Sequence, residues 1–80
     1  MKLPRDISGT ELARRLAPLG YEVGRTGGGH MQLVTMRNGE HHVTIPAHKV
    51  LKTGTLGGVL AAIAQHLGLS RIEISKSLFG

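Results

Sequence analysis

Eighty residues are about half the usual length of one domain, so the chain is read as a single domain over residues 1–80 with one small core, which argues against a large substrate cavity. The sequence has no cysteine, which removes disulfide frameworks, thiolate zinc sites and thiol nucleophiles and leaves a cytoplasmic protein as the default expectation. Ten Lys+Arg against five Asp+Glu give a formal charge of +5, which favours a polyanion as partner, nucleic acid first.

The longest apolar run, Val59 to Ala64, falls far short of the ~20 residues that a membrane-spanning helix needs, so no membrane partner is expected. Charge and proline in Met1-Lys2-Leu3-Pro4-Arg5-Asp6 occupy the place where an export signal carries its apolar stretch, so export is not expected either.

Ser8 and Glu11 have the spacing of a capping box and Ile7 is placed to staple onto Leu12, so a first helix begins here. Leu12, Leu16 and Leu19 form its apolar stripe and Gly20 its stop. Tyr21-Glu22-Val23 alternates as a short half-buried strand, and Gly24 to Gly29 reads as a flexible turn. His30 to Arg37 is a second strand. Asn38-Gly39 then signals a two-residue hairpin turn into a third strand, His41-His42-Val43-Thr44-Ile45, closed by Pro46.

Ala47 to Thr53 is a basic connection carrying Lys49 and Lys52. Thr55 caps a helix whose apolar face is Leu56, Val59, Leu60, Ile63 and Leu67 and whose stop is Gly68. A second capping box, Ser70 with Glu73, opens a short last helix, with Leu69 placed to staple onto Ile74. The expected fold is α+β, in the order α-β-β-β-α with a short C-terminal helix. Its helices pack on one face of a three-stranded antiparallel sheet and the other face stays open to a partner.

From His41 to Ile72 there is no acidic residue, while His41, His42, His48, Lys49, Lys52, His66 and Arg71 fall in that span. This points to phosphate contact, the alternative being an ordinary solvated surface. Tyr21 and Phe79 are the only aromatic residues, so contacts to backbone and shape are expected rather than base stacking. The glycine run before His30 lacks the Lys-Ser/Thr pair of a P-loop; its amides either cradle one phosphate, at Gly29, or serve as a plain hairpin linker. Lys52-Thr53-Gly54 matches a triad of penicillin-recognising enzymes, but its Ser-x-x-Lys partner is missing and the chain is too short.

Among the histidines, adjacent His41 and His42 leave opposite faces of a strand and do not chelate one metal, so no metal site is expected. His66 complements the dipole at a helix end, and His48 is a solvated connector. His30, where a glycine turn meets a strand, is the candidate catalytic residue. Counting across a two-residue turn pairs Arg37 with Glu40 and His30 with Ala47, beside His48 and Lys49. The same parity aligns His30 with Val34, Val43 and Ile45, so a half-buried rim histidine is the competing reading. Arg25, flanking the glycine turn, and Lys49 and Lys52, in the facing connection, are the cations expected to bind phosphate oxygens.

With these elements placed, the chain resembles the HicA-type toxins, the mRNA interferase half of HicA/HicB toxin–antitoxin pairs. The resemblance runs from about Ser8 to Ser70. It is carried by Ser8-Gly9 opening a helix, Gly29-His30 opening a strand, Val43-Thr44-Ile45-Pro46, and Lys52-Thr53-Gly54-Thr55-Leu56 leading into a helix. Gly29 and Met31 depart from the family, which often has Ser before this histidine and a polar or aromatic residue after it.

The resemblance implies a fold similar to double-stranded RNA-binding domains, a catalytic role for His30, mRNA as substrate and a HicB-like antitoxin as partner. The chain is therefore expected to be a ribosome-independent, metal-independent RNA endonuclease toxin without a cofactor. A double-stranded-RNA-type binding module that grips without cutting is the alternative. A small metal-dependent hydrolase is the third reading, favoured only by scattered histidines.

Overall fold

A computed structural model describes residues 6–80; the expectation about export, drawn mainly from the residues before these, lies outside them. The order is helix α1 (Gly9–Leu16), a 3-10 turn (Ala17–Leu19), strands β1 (Glu22–Gly27), β2 (His30–Thr35) and β3 (His41–Pro46), and helices α2 (Thr53–Leu67) and α3 (Arg71–Phe79). The strands form an antiparallel meander with β2 in the centre, so the α+β order read from the sequence holds. No helix among the described residues is long and apolar enough to cross a membrane.

Alternation along β2 and β3 sends Met31, Leu33, Val43 and Ile45 inward, where they join Ile7, Leu12, Leu16, Tyr21, Leu56, Leu60, Ile63 and Ile74 in one core. All three helices therefore lie on one side of the sheet. The other side presents three cross-strand rows: Glu22, Val34 and His42; Arg25, Gln32 and Thr44; Gly27, His30 and Pro46.

Four local expectations are corrected. Ser8 caps α1 by accepting the Glu11 N–H at 3.0 Å, but the Glu11 carboxylate turns to Arg14 and Arg15, so the reciprocal half of the capping box is absent. Gly24 to Gly27 is strand rather than turn. Pairing with β2 holds it extended, Gly24 is the extra residue of a bulge between Val23 and Arg25, and only Gly28 and Gly29 turn.

The β2–β3 connection is longer than two residues: Thr35 pairs with His41, and Met36 to Glu40 form the loop. Tertiary bonds override the Asn38-Gly39 signal here. His66 of α2 donates Nε2–H to the carbonyls of Arg37 and Gly39 at 2.9 and 3.0 Å, and Asn38 Nδ2 donates to the His66 carbonyl at 2.7 Å. Finally, α2 starts at Thr53 instead of being capped by Thr55. Leu51 is pinned by its N–H to the Ile7 carbonyl (2.8 Å), and the first helical bond runs from Leu56 N–H to the Lys52 carbonyl (2.9 Å). The second capping box, by contrast, is complete, with both Ser70–Glu73 bonds formed.

The same end of the sheet carries a cluster that local pattern does not reveal. The His41 and His66 rings stack at 4.3 Å and 11°, and the hydroxyl of buried Tyr21 lies 2.8 Å from His41 Nδ1. Burial, then the neighbouring His66 and His42, push the His41 pKa down, so the folded state favours its neutral ring. The unfolded chain takes up the proton near pH ~6.5, and stability is fully present above that value. It is expected to fall as pH drops from about 6.5 through the lowered folded value. Urea midpoints at about pH 7.5 and 5.5 should therefore differ, and the difference should shrink in His41→Asn.

Candidate active site

Three segments are laced together at the opposite end of the sheet, where β2 begins. Ala47 N–H donates to the Gly29 carbonyl (2.8 Å), Gly9 N–H to the His48 carbonyl (2.9 Å), and Leu51 N–H to the Ile7 carbonyl (2.8 Å). The start of α1, the β1–β2 turn and the basic connection thus meet at one pole. Gly9 is buried, and a Cβ there would overlap the Pro46 carbonyl oxygen, which explains why the helix can start so close to the connection.

His30 opens β2 at this pole and is exposed on the open face. It pairs with Pro46, one residue short of the expected Ala47, because the five-residue loop shifts the register. That shift also settles the rim reading. His30 shares its face with Val34 but not with Val43 or Ile45, which are buried on the helix side. Among the described residues the His30 imidazole makes one hydrogen bond, Nδ1 to the Gly28 carbonyl at 3.1 Å.

Arg25 reaches the same face by way of the bulge. Were the pairing regular from Val23 onward, Arg25 would sit opposite Met31, on the helix side; with Gly24 bulged out, Arg25 pairs with Gln32 and lies diagonally from His30, about 7–8 Å away at the backbone. His48, Lys49 and Lys52 are exposed on the connection that the Gly29–Ala47 bond ties to the histidine turn. Asp6 directly precedes Ile7, which the bond from Leu51 ties to the connection.

The cations divide by what they already hold. Arg14 and Arg15 pair with Glu11, and Arg15 also donates to the Leu78 carbonyl (2.9 Å) and lies 5.5 Å from the Phe79 ring centroid, latching α3. Arg25, Lys49 and Lys52 form no side-chain hydrogen bond or ion pair with another described residue. The positive stretch from His41 to Arg71 is therefore not one surface. His41 and His66 are committed to each other at the hairpin end, His42 pairs with Glu40, Arg71 lies over Gly57 of α2, and His48, Lys49 and Lys52 lie on the connection tied to the His30 turn.

Among the described residues no three His, Asp or Glu side chains come together as a metal-holding cluster. The apolar concavity between α1 and β1, lined by Ala13, Ala17, Tyr21, Val23 and Met31, does not include His30, nor does the one beneath Leu67 and Leu69. His30 itself is exposed to solvent at its pole.

A family model described as the HicA toxin of bacterial toxin-antitoxin matches residues 9–69. The chain belongs to the HicA toxin family. As a HicA-type protein it is a toxin of a toxin–antitoxin pair, and the family implies an antitoxin as its partner. The matched span contains every segment of the His30 pole from Gly9 onward, whereas α3 lies beyond it. Neither a curated protein nor a solved structure matches the chain significantly.

The sequence reading placed His30 where a glycine turn meets a strand and set Lys49 and Lys52 on a connection beside it, an arrangement that the fold has. It did not find the parts played by Gly9 and the Gly28 carbonyl. A glycine directly after a helix cap and two consecutive glycines before a histidine are the local signals for these, and neither says which distant backbone is approached.

Proposed function

We propose that this HicA-family toxin is an mRNA interferase, a metal-independent RNA endonuclease in which His30 is the general acid/base. The imidazole accepts the proton of a ribose 2′-hydroxyl, the freed oxygen attacks the adjacent phosphorus, and the P–O5′ bond breaks. The departing 5′-oxygen is protonated by the imidazolium or by solvent, leaving a 2′,3′-cyclic phosphate and a 5′-hydroxyl. An imidazole suits this proton transfer because its ordinary pKa of about 6.5 lies close to neutral pH.

Arg25, Lys49 and Lys52 hold and neutralise phosphate oxygens, and the amide backbone at Gly29 lies against the substrate chain. A HicB-like antitoxin restrains the toxin by covering this pole, and the cytoplasm is where both would act. The observation that carries the reading is the convergence, by backbone bonds, of an exposed strand-start histidine with cations that have no partner of their own among the described residues.

One observation favours a second reading, a binding module that grips RNA without cutting it. His30 has no His, Asp or Glu side chain hydrogen-bonded to it among the described residues. RNA and DNA of one sequence, incubated with the protein in excess chelator, separate the two. Cleavage of RNA alone supports the interferase, retention of uncut RNA supports the binding module, and cleavage only when metal is restored contradicts both.

The cations are tested by salt. Lys49→Ala with Lys52→Ala should raise KM for RNA more than it lowers kcat. It should also flatten the dependence of log affinity on log salt by about 0.7 for each single-strand phosphate that the protein no longer neutralises. An unchanged slope would remove both lysines from the interface.

A further inference from the structure

The identity of the reactive nitrogen follows from the hydrogen bond between His30 and the Gly28 carbonyl, and it rests on the reading of His30 as acid/base. A neutral imidazole has one N–H and one lone pair. A carbonyl oxygen only accepts, so the ring atom 3.1 Å from the Gly28 oxygen, Nδ1, must carry the hydrogen. We infer that Gly28 is a positioning residue whose main-chain carbonyl holds His30 in the Nδ1–H form, leaving Nε2 as the nitrogen that takes the 2′-hydroxyl proton.

The carbonyl is itself held in place. Gly28 and Gly29 have φ of 60° and 80°, in the left-handed region. The turn is closed on one side by the Gly27–His30 pair and on the other by the bond from Ala47 N–H to the Gly29 carbonyl. A Cβ added at Gly28 or Gly29 meets nothing within 4 Å, so it is backbone conformation, not space, that suits glycine here. The arrangement matches the orienting partner of catalytic triads: an acceptor on the far nitrogen fixes tautomer and ring direction and favours the imidazolium once the proton has moved. Here a turn carbonyl replaces the carboxylate.

Long-range ¹H–¹⁵N spectra of the imidazole at about pH 8, above the ordinary histidine pKa, read the tautomer without RNA present. The expected result is an Nδ1–H ring for His30, opposite to the Nε2–H form that a free neutral histidine prefers. An Nε2–H ring in a protein that cuts RNA overturns this assignment alone. An Nδ1–H ring in a protein that leaves RNA intact upholds the hydrogen bond and overturns the nuclease reading.

In kinetics, Gly28→Val, which does not hold the left-handed turn, should lower kcat by about 10-fold, more than it raises KM. Gly28→Asn, which tolerates that conformation, should retain most of the activity. Equal loss of kcat in both variants, or none in Gly28→Val, contradicts the positioning role.

Discussion

Replacing His30 by alanine is expected to lower RNA cleavage by roughly 10²- to 10⁴-fold, the range that a positioned acid/base contributes. At 1.36 kcal/mol per tenfold, that is about 3 to 5 kcal/mol of transition-state stabilisation. The protein should be otherwise intact. His30 is exposed, its ring makes one hydrogen bond among the described residues, and exposed substitutions of this kind change stability by about 0.5 kcal/mol or less. KM for RNA should also change little, because Arg25, Lys49 and Lys52 supply the grip and remain. The expected signature is a collapse of kcat at constant KM and melting temperature. Parallel losses in binding and folding would mean that His30 supports the pole rather than reacting at it.

Gly9→Ala is expected to be among the most destabilising single substitutions in the chain, although it adds one methyl group. That methyl would overlap the Pro46 carbonyl oxygen, and both sides of the contact are backbone, so no side chain can swing away. Relief requires α1 to move off the connection, which breaks the Gly9 N–H bond to the His48 carbonyl. Overpacking and the broken buried hydrogen bond together cost about 3 kcal/mol, a large part of the roughly 4–12 kcal/mol expected for a domain of this size. The melting temperature should fall by about 12–24 °C. Because the same contact assembles the pole, residual folded protein should cut RNA poorly. A fall of only a degree or two would show that the helix start is free to shift.

What local sequence carries, it carried well: the Ser70–Glu73 box, the Ser8 cap, the Leu56–Leu60–Ile63 stripe and the alternation of β2 and β3 are signals within a few residues, and each appears in the fold. The misses share a different cause. Gly24 looks like a turn residue until β2 is present to pair around it, and only the resulting bulge brings Arg25 onto the face of His30. Asn38-Gly39 looks like a two-residue turn until His66, from a helix far along the chain, takes hold of the loop carbonyls. That single residue of register changed the neighbours assigned to His30 and decided between its exposed and half-buried readings, while its end of the sheet stayed legible. The pole itself depends on bonds from residues 7–9 and 29 to residues 47–51, which no periodicity encodes.

The most direct test is the chemistry of the ends left on a labelled RNA cut by the purified protein in excess chelator, with His30→Ala alongside. The wild type is expected to leave 2′,3′-cyclic phosphate and 5′-hydroxyl ends, and to make no cut where a single 2′-deoxy residue replaces the reacting ribose. Cleavage by the variant should be near background. Ends bearing 5′-phosphate and 3′-hydroxyl, or undiminished cutting by His30→Ala, would contradict histidine-driven attack by the 2′-oxygen.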